Sequence, residues 1–187
     1  MSRALLAIGL ALALARQAPA ASFTLSDAEQ KAAIHAGERS TISEGFDREW
    51  RVPSGGETAV VITPFHRLAN AARHAAFKNE ALKPGDVARV LKEDAGRLVV
   101  WVNLRGTRED FARHYVPRLV AGEREIRASF VQNEHTASRQ DDGGYLARCV
   151  YGFPVQDVGP RARVALIVAD RDGHDVSRFS IDLGSMR

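Results

Sequence analysis

The sequence predicts an α+β fold dominated by a β-rich antiparallel sandwich, and three observations predict it. Short runs rich in β-branched and aromatic residues recur from Thr58 to Leu183, most of them separated by turn chemistry. Only two stretches carry strong helix signals, one near the N-terminus and one from Pro64. The composition, 45% hydrophobic and 26% charged over 187 residues, is that of a chain able to bury a core without staples.

Ser26-Asp27-Ala28-Glu29 has the form of a capping box, so a helix is expected from there to about Ala36, with Gly37 as its stop. Residues 38–57 are mostly polar, broken by Pro53 and Gly55-Gly56, with Phe46, Trp50 and Val52 as apolar anchors. They read as an arm wrapping the domain. Residues 58–63 (TAVVIT) have the pattern of a buried strand, and Thr63-Pro64 places a cap and a first-turn proline at the head of a helix running to about Lys78. On a helical wheel Phe65, Leu68, Ala69, Ala72 and Ala76 share one arc, whereas His66, Asn70 and Arg73 share the opposite one. This amphipathic helix is expected to pack on the sheet.

After the turn signal Lys83-Pro84-Gly85-Asp86, strands are expected over residues 87–91, 97–104, 115–120, 125–131, 145–151, 163–169 and 176–183, with a short helix over residues 107–114. Residues 97–104 and 163–169 are apolar on both faces, as central strands are, while Phe179, Ile181 and Leu183 alternate with Ser180 and Asp182. Asp172-Gly173 is the strongest hairpin signal in the chain. The resulting sandwich is immunoglobulin-like in broad architecture. Residues 21–57 form the helix and arm and residues 58–187 the β-rich body of the same single domain.

Residues 1–20 read as a secretory leader: Arg3, an apolar run from Ala4 to Ala15, then Ala18-Pro19-Ala20 as a small-x-small cleavage site. The run is too short to cross a bilayer, which takes about 20 residues. Cleavage would remove two arginines and no carboxylate, so the net charge falls from +3 to +1 and the apparent basicity mostly disappears. The expected location is periplasmic or secreted, with no transmembrane segment in the mature chain. The single cysteine, Cys149, cannot close an intrachain disulfide and sits in an apolar run, which predicts a buried, inert thiol.

Catalytic and cofactor signatures fail one by one. His66 and His74 lie eight residues apart, about 12 Å along a helix, too far to share an ion. Asp110 and His114 have i,i+4 spacing but lack a third ligand. Asp170, Asp172 and Asp175 surround Gly173 without the glycine and glutamate positions of a calcium loop, so they read as hairpin chemistry. There is no Gly-x-Ser-x-Gly elbow and no phosphate-cradling loop. No cofactor, metal or nucleic-acid partner is expected.

What remains is polar display. The candidate binding residues are His66, Arg67, Asn70 and Arg73 on the second helix, Arg113 and His114 in a cationic segment that also holds Arg105, Arg108 and Arg118, and Asn133, Glu134 and His135 after a strand end. Arginines in such clusters suit carboxylate or phosphate groups. Trp50, Trp101 and Tyr151 are expected in the core or a lid and not on a sugar-stacking face. The functional expectation is an exported, non-catalytic binding or envelope-associated module for a protein, peptide or small anionic ligand. The alternative is an exported hydrolase using His66, His114 or His135 as general base with a distant carboxylate.

Overall fold

The computed structural model describes residues 21–187, so the leader expected over residues 1–20 lies outside the described residues. The helices are α1 (Asp27–Arg39), α2 (Pro64–Phe77) and α3 (Pro84–Glu93). One antiparallel sheet holds β1 (Arg51–Ser54), β2 (Glu57–Ile62), β3 (Arg97–Gly106), β8 (Tyr145–Pro154) and β6 (Phe130–Gln132) in that order, with β7 (Ser138–Arg139) also on β8. The other runs β10 (Asp175–Asp182), β9 (Arg163–Ala169), β4 (Val116–Ala121), β5 (Arg124–Arg127). The fold is mixed α+β with two antiparallel sheets, which a sandwich describes broadly.

Alternation along the strands builds the core. Leu98, Val100, Val102 and Leu104 of β3 and Ala147, Cys149, Tyr151 and Phe153 of β8 join Leu119, Ile126, Val164, Leu166, Val168, Phe179 and Ile181 from the second sheet in one buried cluster. Cys149 is buried there, and burial pushes its thiol above the usual range, so it is mostly unionised at neutral pH. No helix among the described residues is long and apolar enough to cross a membrane.

Strand polarity gives the molecule two ends. β2 finishes, β3 starts and β8 finishes at one end, and there α2 and α3 lie in the connection between β2 and β3. Trp50 ties this end together: it stacks on Phe65 at 6.3 Å, and its indole N–H donates to the Arg187 carbonyl at 2.8 Å. The other end carries the connections after β3, β6, β7 and β9. Ten residues of β3 separate the two, about 30 Å at strand rise.

Four local expectations change. Residues 87–91 are helical, because Pro84 opens α3, Asp86 favours its first turn, and Val87, Val90 and Leu91 fall on one helical face. Residues 107–114 make successive turns instead of a helix: Phe111, Arg113 and Tyr115 each donate to the carbonyl three residues back. The single strand expected over 125–131 is two, because the chain changes sheets between Arg127 and Phe130. Residues 51–54, expected to belong to the arm, form an edge strand paired with β2.

The capping box at Ser26 and Glu29 forms as expected, but α1 continues through Gly37 to Arg39. A Cβ at Gly37 would stand 2.1 Å from the Ala69 carbonyl oxygen and 2.9 Å from the Ala72 Cβ. Gly37 is therefore a packing residue where α1 crosses α2, with Ala33, Ala69 and Ala72 buried around it. Gly37→Ala is expected to force the helices apart and destabilise the fold by roughly 1–3 kcal/mol. A urea titration reads this directly, and an unchanged midpoint would mean the helices separate freely.

Candidate functional site

The residues picked out by sequence fall at the two opposite ends of the molecule. At the helical end, the α2 face expected to be solvated is used internally. His66 is only 3% exposed, because the short turn Phe46–Glu49 lies over it: its ring packs 5.7 Å from Phe46 and 4.6 Å from Trp50, and its Nε2 lies 3.0 Å from Asp47 Oδ1. Burial holds the imidazole below its usual pKa, against the opposing pull of Asp47. The neutral ring thus donates through Nε2 to the Asp47 carboxylate.

Arg67 is committed in the same way. It pairs with Glu93 at 2.9 Å and with Asp94, tying α2 to the end of α3. Arg73 donates to the Ser43 carbonyl at 3.2 Å and lies 4.9 Å over the Phe46 ring, and Asn70 is half-buried. The wheel separated the faces of α2 correctly but could not foresee that the arm would cover its polar side. Beside Arg67, the residues Phe23, Leu25, Ile62, Val90 and Leu91 line a cavity of about 270 Å³.

The loop end assembles a different group. Phe111 packs back onto the end of β3, and Gly106 permits it, since a Cβ there would stand 2.3 Å from the ring. Ala112 is fully buried, and the Ala137 amide donates to the Glu109 carbonyl at 2.8 Å, joining the 107–115 loop to the segment after β6. Asn133 completes the tie: its amide donates to the Tyr115 carbonyl at 2.8 Å and accepts from the buried Tyr151 hydroxyl at 3.0 Å. Glu134 accepts from the Arg148 backbone amide at 2.6 Å. Asn133 and Glu134 are therefore clamps that position the loops.

Between those loops lies an open cleft of about 560 Å³, lined by Thr107, Arg108, Glu109, Asp110, Arg113, His135, Thr136 and Tyr145. It brings Arg113 and His135 together from positions 22 residues apart in sequence. Arg108 is held by Asp110 through contacts of 2.9 to 3.1 Å, Arg105 by Asp142 at 2.6 Å, and Arg118 by Asp175 at 2.7 Å. Among the described residues Arg113 and His135 have no carboxylate within 4 Å. His114 is exposed beside the cleft without lining it.

Of the three histidines considered as general bases, only His66 meets a carboxylate, and Phe46 and Trp50 seal it from solvent. The nearby Thr63 hydroxyl accepts from the His66 amide and donates to the Arg187 carbonyl. Asp170, Asp172 and His174 bring possible ligand atoms within 4.8 Å of one another, but Asp170 is occupied closing the hairpin, accepting from the amides of Asp172 and His174 at 2.9 and 2.8 Å. Trp50 and Tyr151 are core residues as expected, whereas Trp101 is 46% exposed on the outside of the first sheet. Comparison of the chain with protein-family models, with curated proteins and with solved structures finds no match.

Two outcomes follow. Asn133→Ala removes both ends of the loop clamp and leaves the buried Tyr151 hydroxyl unpaired, so a loss of about 1–3 kcal/mol is expected in urea unfolding. His66 has a folded pKa below the unfolded value of about 6.5, so its contribution is present above that pH and is lost as the pH falls. The melting temperature is expected to drop between about pH 7.5 and 5.5. His66→Gln, whose amide can still donate to Asp47, flattens that drop; an unchanged slope would assign it to other groups.

Proposed function

We propose that the chain is an exported, non-catalytic binding module whose loop-end cleft takes an anionic group of a protein, peptide or small envelope ligand. One observation carries the reading: Arg113 and His135 converge on an open cleft while the neighbouring arginines are already paired. An unpaired guanidinium offers parallel N–H donors to a carboxylate or phosphate. His135 and the Tyr145 and Thr136 hydroxyls supply further hydrogen bonds around it.

Ala112, Ala137 and the Asn133 clamp hold the loops, so a ligand meets a site needing little reordering. A two-sheet scaffold displaying binding loops at one end is also the sense in which the immunoglobulin-like description is proposed. Export rests on the residues Arg3, Ala4 to Ala15 and Ala18-Pro19-Ala20.

Isothermal titration with citrate and with inorganic phosphate tests the cleft. Binding of at least one is expected, weakened about tenfold by Arg113→Ala, the loss of a charge-assisted hydrogen bond, and less by His135→Ala. Arg67→Ala is expected to lower stability and leave the affinity of the folded protein unchanged. Absence of binding by both anions, or an Arg113→Ala variant with native affinity, overturns the reading.

A further inference from the structure

The outer face of the first sheet has a composition unlike the rest of the surface. Strand alternation turns Arg51, Arg97, Trp101, Asn103, Arg105 and Arg148 away from the core, because their neighbours along each strand form it, while Ile62 and Val99 on the same side are buried toward the helical end. Four of these residues are arginines and none is a carboxylate. Asp142 holds Arg105 at 2.6 Å, while Asp47 and Asp94 reach Arg51 and Arg97 from outside the sheet only at 3.6 and 3.9 Å. The Arg148 guanidinium has no ion pair within 4 Å among the described residues, the Glu134 carboxylate beside it being engaged by the Arg148 backbone amide at 2.6 Å.

Trp101 stands in the middle of this face, with Val60 of β2 and Val150 of β8 directly opposite on either side. Both are shorter side chains, so the indole rises above its row and is 46% exposed. Arg148 lies diagonally across from it, opposite Asn103, at about 7–8 Å. That is within reach of a long side chain lying beside the indole.

We propose that this face is a second binding surface, for an acidic saccharide: one hexuronate ring stacks on Trp101 while its carboxylate pairs with Arg148. A sugar ring presents an apolar C–H face to the indole, an arginine matches the carboxylate in bidentate fashion, and Asn103 and Gln132 supply planar donors and acceptors for hydroxyl groups. The positive balance of the face sets the sign of the ligand.

The same observations argue against other occupants. Single-stranded nucleic acid stacks successive bases on successive rings, but the second aromatic residue, Phe130, is already covered by the Arg97 guanidinium at 5.7 Å. A second copy of this chain on a two-fold axis would bring arginines against arginines. Neither obstacle applies to a single uronate ring. The inference does not depend on the loop-end cleft, which lies beyond the end of β3 and uses other residues.

Titration calorimetry with oligogalacturonate tests it, with cello-oligosaccharide, oligoglutamate and oligothymidylate of equal length as comparisons and circular dichroism to confirm folding. Oligogalacturonate is expected to bind most tightly and to perturb the tryptophan emission, because Trp101 is the exposed one of two tryptophans. Trp101→Ala and Arg148→Ala each weaken it at least about tenfold, whereas Arg171→Ala, which removes the same charge from the distant hairpin, changes it less than about twofold. Equal or tighter binding of oligoglutamate or oligothymidylate overturns the proposal, as does native affinity in Trp101→Ala. So does self-association that buries Trp101.

Discussion

Everything else in this molecule is arranged around the pairing of β3 with β8. Ten residues on each strand meet in unbroken antiparallel register, and the period of two then decides which side chains are core and which are surface. A slip of one residue would put Trp101, Asn103 and Arg148 inside and Val102, Cys149 and Tyr151 outside. The register is fixed because the inward set is wholly apolar apart from the Tyr151 hydroxyl, which Asn133 satisfies. The same ladder holds the helical end and the loop end about 30 Å apart.

The two ends use their cations in opposite ways. At the helical end, the arm lies across α2 and engages His66 and Arg73 through Phe46, Asp47 and Ser43, while the end of α3 engages Arg67 through Glu93 and Asp94. These groups stabilise the attachment of the arm and of α3, and they are no longer open to a ligand. At the loop end, the clamps use backbone groups, the neutral side chain of Asn133 and the Glu134 carboxylate on the Arg148 amide, which leaves Arg113 and His135 facing a cleft. Positive residues in a sequence thus say little about binding until their carboxylate partners are placed.

Gly37 and Gly106 carry a related lesson. Gly37 was expected only as a helix stop, yet both are sites of close approach, one for helix against helix and one for Phe111 against the end of β3. Neither needs a left-handed backbone. The hairpin glycine Gly173, with φ of 87°, is the turn residue that Asp172-Gly173 announced. Val87, Val90 and Leu91 misled for a different reason: β-branched residues suggested a strand, but spacing along one helical face and Pro84 at the head decided for a helix.

By itself the sequence determined the α+β class, the capped start of α1, the head and apolar face of α2, the central strands β3 and β9, the final hairpin and the buried state of Cys149. These are local matters of period, capping and turn chemistry, and a window of residues contains them. Only the tertiary structure decided that the arm seals His66, that the stretch after Glu125 divides between two sheets, that Arg113 and His135 share a cleft while Arg67 and Arg73 do not, and that Trp101 stands bare on an arginine-bearing face. Each of those depends on which distant segment packs against a side chain, and adjacency in the chain carries no information about that.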